Sequence, residues 1–140
     1  MLPFKVSAVV LCDDIRLEQN NKHILIGVYN GTIVVQNFPA EFLICWWIQA
    51  LANQTGKFEF DIQLIKDEKN TLLSAKVGFE IQAKGWVAMS LPKAPIQLHG
   101  PGKLQLRMKT KSESDWITIQ ECEVRQGDII SAAPIQRITV

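Results

Sequence analysis

The chain has 140 residues, with 15 Lys and Arg against 14 Asp and Glu for a formal net charge of +1, and it is 47% hydrophobic and 21% charged. A chain of this length buries roughly two-thirds of its unfolded surface without disulfide or metal staples, so a single domain over 1–140 is expected, with globular rather than disordered or fibrous composition. Charges of both signs are scattered, which excludes the dense basic stripe that duplex nucleic acid requires and the basic cluster that an anionic membrane requires.

Residues 4–12 read as a first strand, nearly all apolar after Lys5, ended by Asp13-Asp14. This run has no small-residue cleavage site, and no stretch reaches bilayer-spanning length, so neither a signal peptide nor a membrane span is expected. A polar loop, 18–22, precedes two strands, 23–29 and 32–36, separated by Asn30-Gly31. Asn-Gly tolerates positive φ at both central positions of a type I′ turn, and the spacing predicts a tight hairpin here. Pro39 then interrupts the ladder, since proline has no N–H to donate.

Residues 42–52 are long and apolar enough for a buried helix, but Ile, Trp and Phe enrichment favours a strand. Adjacent Trp46 and Trp47 must then point to opposite faces, one into the core. Phe58, Phe60, Ile62 and Leu64 alternate with Glu59, Asp61 and Gln63, the clearest half-buried strand. After the polar turn 67–70, Leu73, Ala75, Val77, Phe79 and Ile81 continue the alternation as its antiparallel partner. The stretch 86–91 is less regular, and Pro92 and Pro95 mark an edge or a connection. Ile96 and Leu98 precede Gly100-Pro101-Gly102, which fits a type II turn with proline and then glycine at its centre, and Leu104, Leu106 and Met108 follow at period two. The basic residues in 107–111 read as a solvated face. The last strand, 116–124, places Ile117 and Ile119 opposite Trp116, Thr118 and Gln120, and 129–140 is mildly apolar, an edge strand or a loose terminal segment. The sum is an all-β fold, an antiparallel two-sheet sandwich of about eight or nine strands, with a closed barrel as the alternative.

Asp13, Asp14 and Arg16 are the first candidate binding residues, two carboxylates and a guanidinium where a strand opens into a polar loop. The same residues serve equally to cap loop N–H groups and pair with one another. Calcium needs about six converging oxygens. Asp13, Asp14, Glu18, Asp115 and Asp128 could contribute some of them, but no loop has closely spaced aspartates. Zinc has only His23 and His99 beside Cys12, Cys45 and Cys122, none at ligand spacing. The cysteines, odd in number and set in apolar stretches, read as reduced, buried thiols of a cytoplasmic protein. His99 with Ser90 or Ser131 lacks a nucleophile elbow or a paired base, and no glycine-rich loop precedes a helix, so no catalytic residue and no cofactor is expected. Trp116, which shares its strand face with Thr118 and Gln120, is the preferred exposed aromatic for stacking on a sugar or base.

The segment 12–16, Cys-Asp-Asp-Ile-Arg, followed by Leu-Ile-Gly-Val-Tyr at 25–29 and Phe38-Pro39, resembles a family of short bacterial proteins of unknown function. The likeness is specific over about the first forty residues and implies a bacterial, cytoplasmic, all-β protein without transferring any catalytic residue. The leading functional expectation is a non-enzymatic module whose sheet edge or face binds another protein or a second copy of itself. The alternative is a small-ligand or calcium-dependent glycan binder using Asp13, Asp14 and Trp116, and a hydrolase built on His99 comes third.

Overall fold

The structure, a computed structural model, describes residues 2–128. Every regular element among them is a strand: β1 (Phe4–Leu17), β2 (His23–Val28), β3 (Thr32–Val35), β4 (Ala40–Ala52), β5 (Gly56–Lys66), β6 (Asn70–Ile81), β7 (Gly85–Ser90), β8 (Ala94–Leu98), β9 (Gly102–Thr110) and β10 (Ile117–Gln126). The expectation for 129–140 lies outside the described residues.

These strands form two five-stranded sheets. The first runs β2-β1-β4-β7, with β8 also pairing β4, and the second runs β3-β10-β9-β5-β6. All pairings are antiparallel except β3 with β10, which is parallel. The two sheets close on one core, in which Phe4, Leu11, Ile44, Trp46 and Ile48 of the first meet Ile33, Phe60, Ile62, Leu104, Leu106 and Met108 of the second. Phe4 and Phe60 pack across the gap with ring centroids 5.3 Å apart. Each fully buried aliphatic or aromatic side chain contributes about 1.5–3 kcal/mol, and period-two strands deliver one per two residues to the same layer. The segment around the tryptophan pair is the central strand β4: Trp46 is buried inward, and Trp47 takes the other face.

One polar tie crosses this core. Trp46 Nε1 donates to Gln120 Oε1 at 2.9 Å, and Gln120 Nε2 donates to the Val9 carbonyl at 3.0 Å, so one amide satisfies groups on β4 and β1 from β10. Gln120 faces inward because the β9–β10 register shifts between Thr118 and Gln120, which breaks the shared face expected for Trp116, Thr118 and Gln120.

Three local expectations are corrected. Asn30-Gly31 does not close a hairpin, because β2 belongs to the first sheet and β3 to the second. Only Gly31 of the two takes positive φ, at 80°, where the chain crosses between sheets, and its carbonyl accepts from Glu123 N at 2.9 Å. The tight turns are elsewhere. Asn21, at φ 65°, closes the β1–β2 hairpin, and Asp67 and Glu68, at 52° and 61°, both have the positive φ of a type I′ turn between β5 and β6. Asp13-Asp14 does not end β1, which continues to Leu17 with β2 as its partner. At Gly100-Pro101-Gly102, the φ of 159° at Gly102 is extended rather than the +80° of a type II turn. There the Asp67 carboxylate occupies the space a Cβ would need, and its Oδ1 accepts from Lys103 N at 2.9 Å.

Candidate functional site

The pairing of β1 with β4 ends at Cys12 opposite Cys45, the same register at which its pairing with β2 begins, Cys12 opposite Val28. Beyond that fork β1 and β2 form a two-stranded arm. Asp13 and Asp14 follow the fork directly and, as neighbours on a strand, point to opposite faces.

Asp13 Oδ1 accepts the Tyr29 hydroxyl at 2.8 Å. Gly27 lies opposite Asp13, and a Cβ there would overlap its carboxylate; with φ at 68° as well, the position is shaped for glycine alone. Burial, and then the neighbouring carboxylate of Asp13, raise the Tyr29 phenol above its ordinary value. Asp14 accepts from Ile15 N at 3.0 Å and from Arg16 Nε at 3.1 Å, and its Oδ1 lies 3.0 Å from Lys93 Nζ. Lys93 follows β7, which lies across β4 from β1, so this ion pair joins the arm to the far side of the sheet. The Lys93 ammonium and then Arg16 hold the Asp14 carboxyl below its ordinary value. At the arm's other end, the His23 and Trp47 rings meet edge-on with centroids 6.4 Å apart.

The first candidate residues are therefore brought together, and all are engaged with groups of the chain itself. What the arrangement does is hold the arm: one carboxylate braces Tyr29 and the other braces Lys93 and Arg16. Among the described residues no three or more His, Cys, Asp or Glu side chains gather where they could hold a metal ion.

At the fork, Cys12 and Cys45 are free and buried, with Sγ atoms 3.7 Å apart. Each thiol is also within hydrogen-bonding range of the opposite cysteine's carbonyl, at 3.7 Å and 3.6 Å. Burial raises both, Cys12 up to about 12, so the pair rests as two protonated thiols at neutral pH. Only their placement in apolar stretches was readable from the sequence. That they oppose one another depends on the β1–β4 register.

The family model for DUF6941, a family of unknown function, matches residues 7–115. The chain belongs to this family. The match takes in the fork, the arm and Lys93 and ends before β10. No curated protein matches the chain.

In this DUF6941 chain Trp116 sits at the second sheet, away from Asp13 and Asp14 on β1 of the first. Its ring lies under two cations, with Arg107 Cζ and Lys109 Nζ each 4.9 Å from the centroid. Arg107 is itself fixed by Gln63 Oε1, which accepts from Nε at 3.1 Å and Nη2 at 2.7 Å. His99 is exposed between β8 and β9, and among the described residues no hydrogen bond links it to Ser90 or a carboxylate. Sequence reasoning missed Trp86, the most exposed large apolar side chain among the described residues at 66%, directly opposite Leu51 on β4. The alternation of Trp86, Ala88 and Ser90 against Val87 and Met89 carried that signal. No helix among the described residues is long and apolar enough to cross a membrane.

Proposed function

We propose that this DUF6941 protein is a non-enzymatic interaction module of the cytoplasm that associates, with a protein partner or with a second copy of itself, through its first sheet. The observation that carries the reading is the uneven placement of exposed large apolar side chains. Among the described residues, Leu17, Ile24, Ile26, Val28, Leu43, Leu51 and Trp86 belong to the first sheet, against Val34 and Ile117 on the second. Isolated exposed apolar residues are ordinary, but a concentration of them on one sheet leaves apolar area whose removal from water stabilises a complex by about 25 cal/mol per Å² before association costs. Ile24, Ile26 and Val28 alternate along β2, an edge strand that can also accept an added strand. The three free thiols support a reducing compartment.

The glycan-binding reading is less well supported, since the cations over Trp116 occupy a ring face that a sugar would use. Light scattering on a size-exclusion column across a wide protein concentration range tests the leading proposal. A concentration-dependent rise toward dimer mass, or capture of one protein that is lost in Leu43→Glu with Trp86→Glu, is the expected result. A monomer at every concentration, with no capture that depends on these residues, rejects it.

A further inference from the structure

We infer that Cys12 and Cys45 form a thiol–disulfide site: a reversible cross-strand disulfide that closes the fork between β1 and β4 in exchange with a small-molecule disulfide. Three features of the geometry point to it. The two residues are directly opposite in the β1–β4 register, and opposed residues on antiparallel strands have Cα separations of about 4.5–5.5 Å, inside the roughly 4.4–6.8 Å range that a disulfide spans. The sulfur atoms already touch at 3.7 Å, so bond formation needs side-chain rotation and no movement of either strand's register. Cys122, the third thiol, is packed in the core between the sheets, whereas Cys12 and Cys45 lie outside that cluster, on the opposite face of the first sheet from Leu11 and Trp46.

Position in the fold supplies the route for the reagent. Cys12 opposite Cys45 is the last pair of the β1–β4 ladder, and strand pairing opens first where a ladder ends. Beyond it side-chain contacts hold the arm, Asp14 with Lys93 past β4 and His23 with Trp47 on β4 itself. Opening at the fork returns the thiols to water and toward their ordinary acidity, and a thiolate is the species that attacks. One thiol loses its proton to solvent and attacks a sulfur of the small disulfide, breaking that S–S bond and releasing one small thiolate. The second cysteine, deprotonated in turn, attacks the protein-bound sulfur and releases the other. The chain loses two hydrogens, two electrons reduce the reagent's disulfide to two thiols, and the arm's root becomes covalently joined to the central strand. Cytosolic disulfides of this kind are transient and redox-sensing rather than permanent.

The test equilibrates the folded full-length protein in glutathione buffers of increasing oxidised fraction, starting once from reduced protein and once from protein oxidised in denaturant and refolded. Acid quenching, alkylation in denaturant and peptide mass mapping then read each cysteine. The expected result is that Cys12 and Cys45 lose alkylation together, linked in one peptide pair, while Cys122 stays alkylated, with both starting points converging and dithiothreitol reversing the change. In Cys45→Ser the linked peptide is absent and Cys12 either stays alkylated or carries glutathione. Folded wild-type protein whose Cys12 and Cys45 stay alkylated in the most oxidising buffer, or in which either carries glutathione at equilibrium without the other being consumed, overturns the inference.

Discussion

The two sheets share a core but treat water differently. On the second, outward side chains satisfy one another: Gln63 holds Arg107, Arg107 and Lys109 cover Trp116, and Gln105 donates to Glu121 at 2.9 Å while Lys103 lies 3.4 Å from the same carboxylate. On the first, Leu43 at 60% exposed and Trp86 at 66% stand in solvent, and the root of the arm is held by the Asp14–Lys93 ion pair and the Tyr29–Asp13 hydrogen bond. The lesson is that a sandwich of near-zero net charge can still be strongly two-sided, because sidedness depends on which residues the strand phase turns outward and not on the totals.

The comparison is broken most directly by matched glutamates. Leu43→Glu with Trp86→Glu should weaken association by at least about tenfold, as expected for loss of central anchors, while Ser74→Glu with Thr118→Glu on the second sheet should leave it unchanged by light scattering. Equal loss from both pairs would mean that the sidedness has no functional content. Next in size is the tie between the layers. Gln120→Leu leaves the Trp46 indole N–H and the Val9 carbonyl without their partner and should cost about 2 kcal/mol in urea unfolding, whichever sheet associates. Smaller still, Arg107→Ala on the polar sheet should cost about 0.5–1 kcal/mol and red-shift the tryptophan emission as Trp116 is uncovered, consistent with a self-satisfied surface of weak contacts.

The smallest effects are pH-linked and belong to the arm. The folded Asp14 carboxyl is held below its ordinary value of 3.8, so its contribution is present above that value and is lost as pH falls through the folded value. Acid scans of melting temperature should show a loss in the wild type that is reduced in Asp14→Asn and in high salt. Tyr29 has the opposite sign: its phenol is raised above 10.0, so its contribution is present below pH 10.0 and is lost as pH rises toward the folded value. As the chain's single tyrosine, it should give no phenolate absorbance until the pH is well above 10.0.

Much of the architecture was legible because alternation is local. Phe58 to Leu64 and Leu104 to Met108 bury the residues their phase predicts. Partners are not local, and this is where reading failed. The conformational freedom of Gly31 suits a hairpin and a crossing between layers equally, and what decides is a strand, β10, almost a chain length away. A visible phase slip went unread: Ile117 and Ile119 are odd-numbered and Cys122 and Val124 even-numbered, so one residue must be bulged, and that bulge turns Gln120 inward. Asp13 and Asp14 were recognised as special, but their bonds to Tyr29 and Lys93 depend on where β2 and β7 lead, which composition does not encode.

The parallel pairing of β3 with β10 has a consequence for synthesis. Gln36 accepts a hydrogen bond from Gln126, 90 positions later. At about 5–20 residues per second the ribosome needs roughly 5–20 seconds to make that stretch. Throughout that interval Ile33 and Val35, destined for the interior, have no neighbouring strand to dock on, while the β1–β2 hairpin can zip as soon as it emerges. A nascent DUF6941 chain therefore carries a greasy, unmatched ribbon until its last described strand, β10, is made.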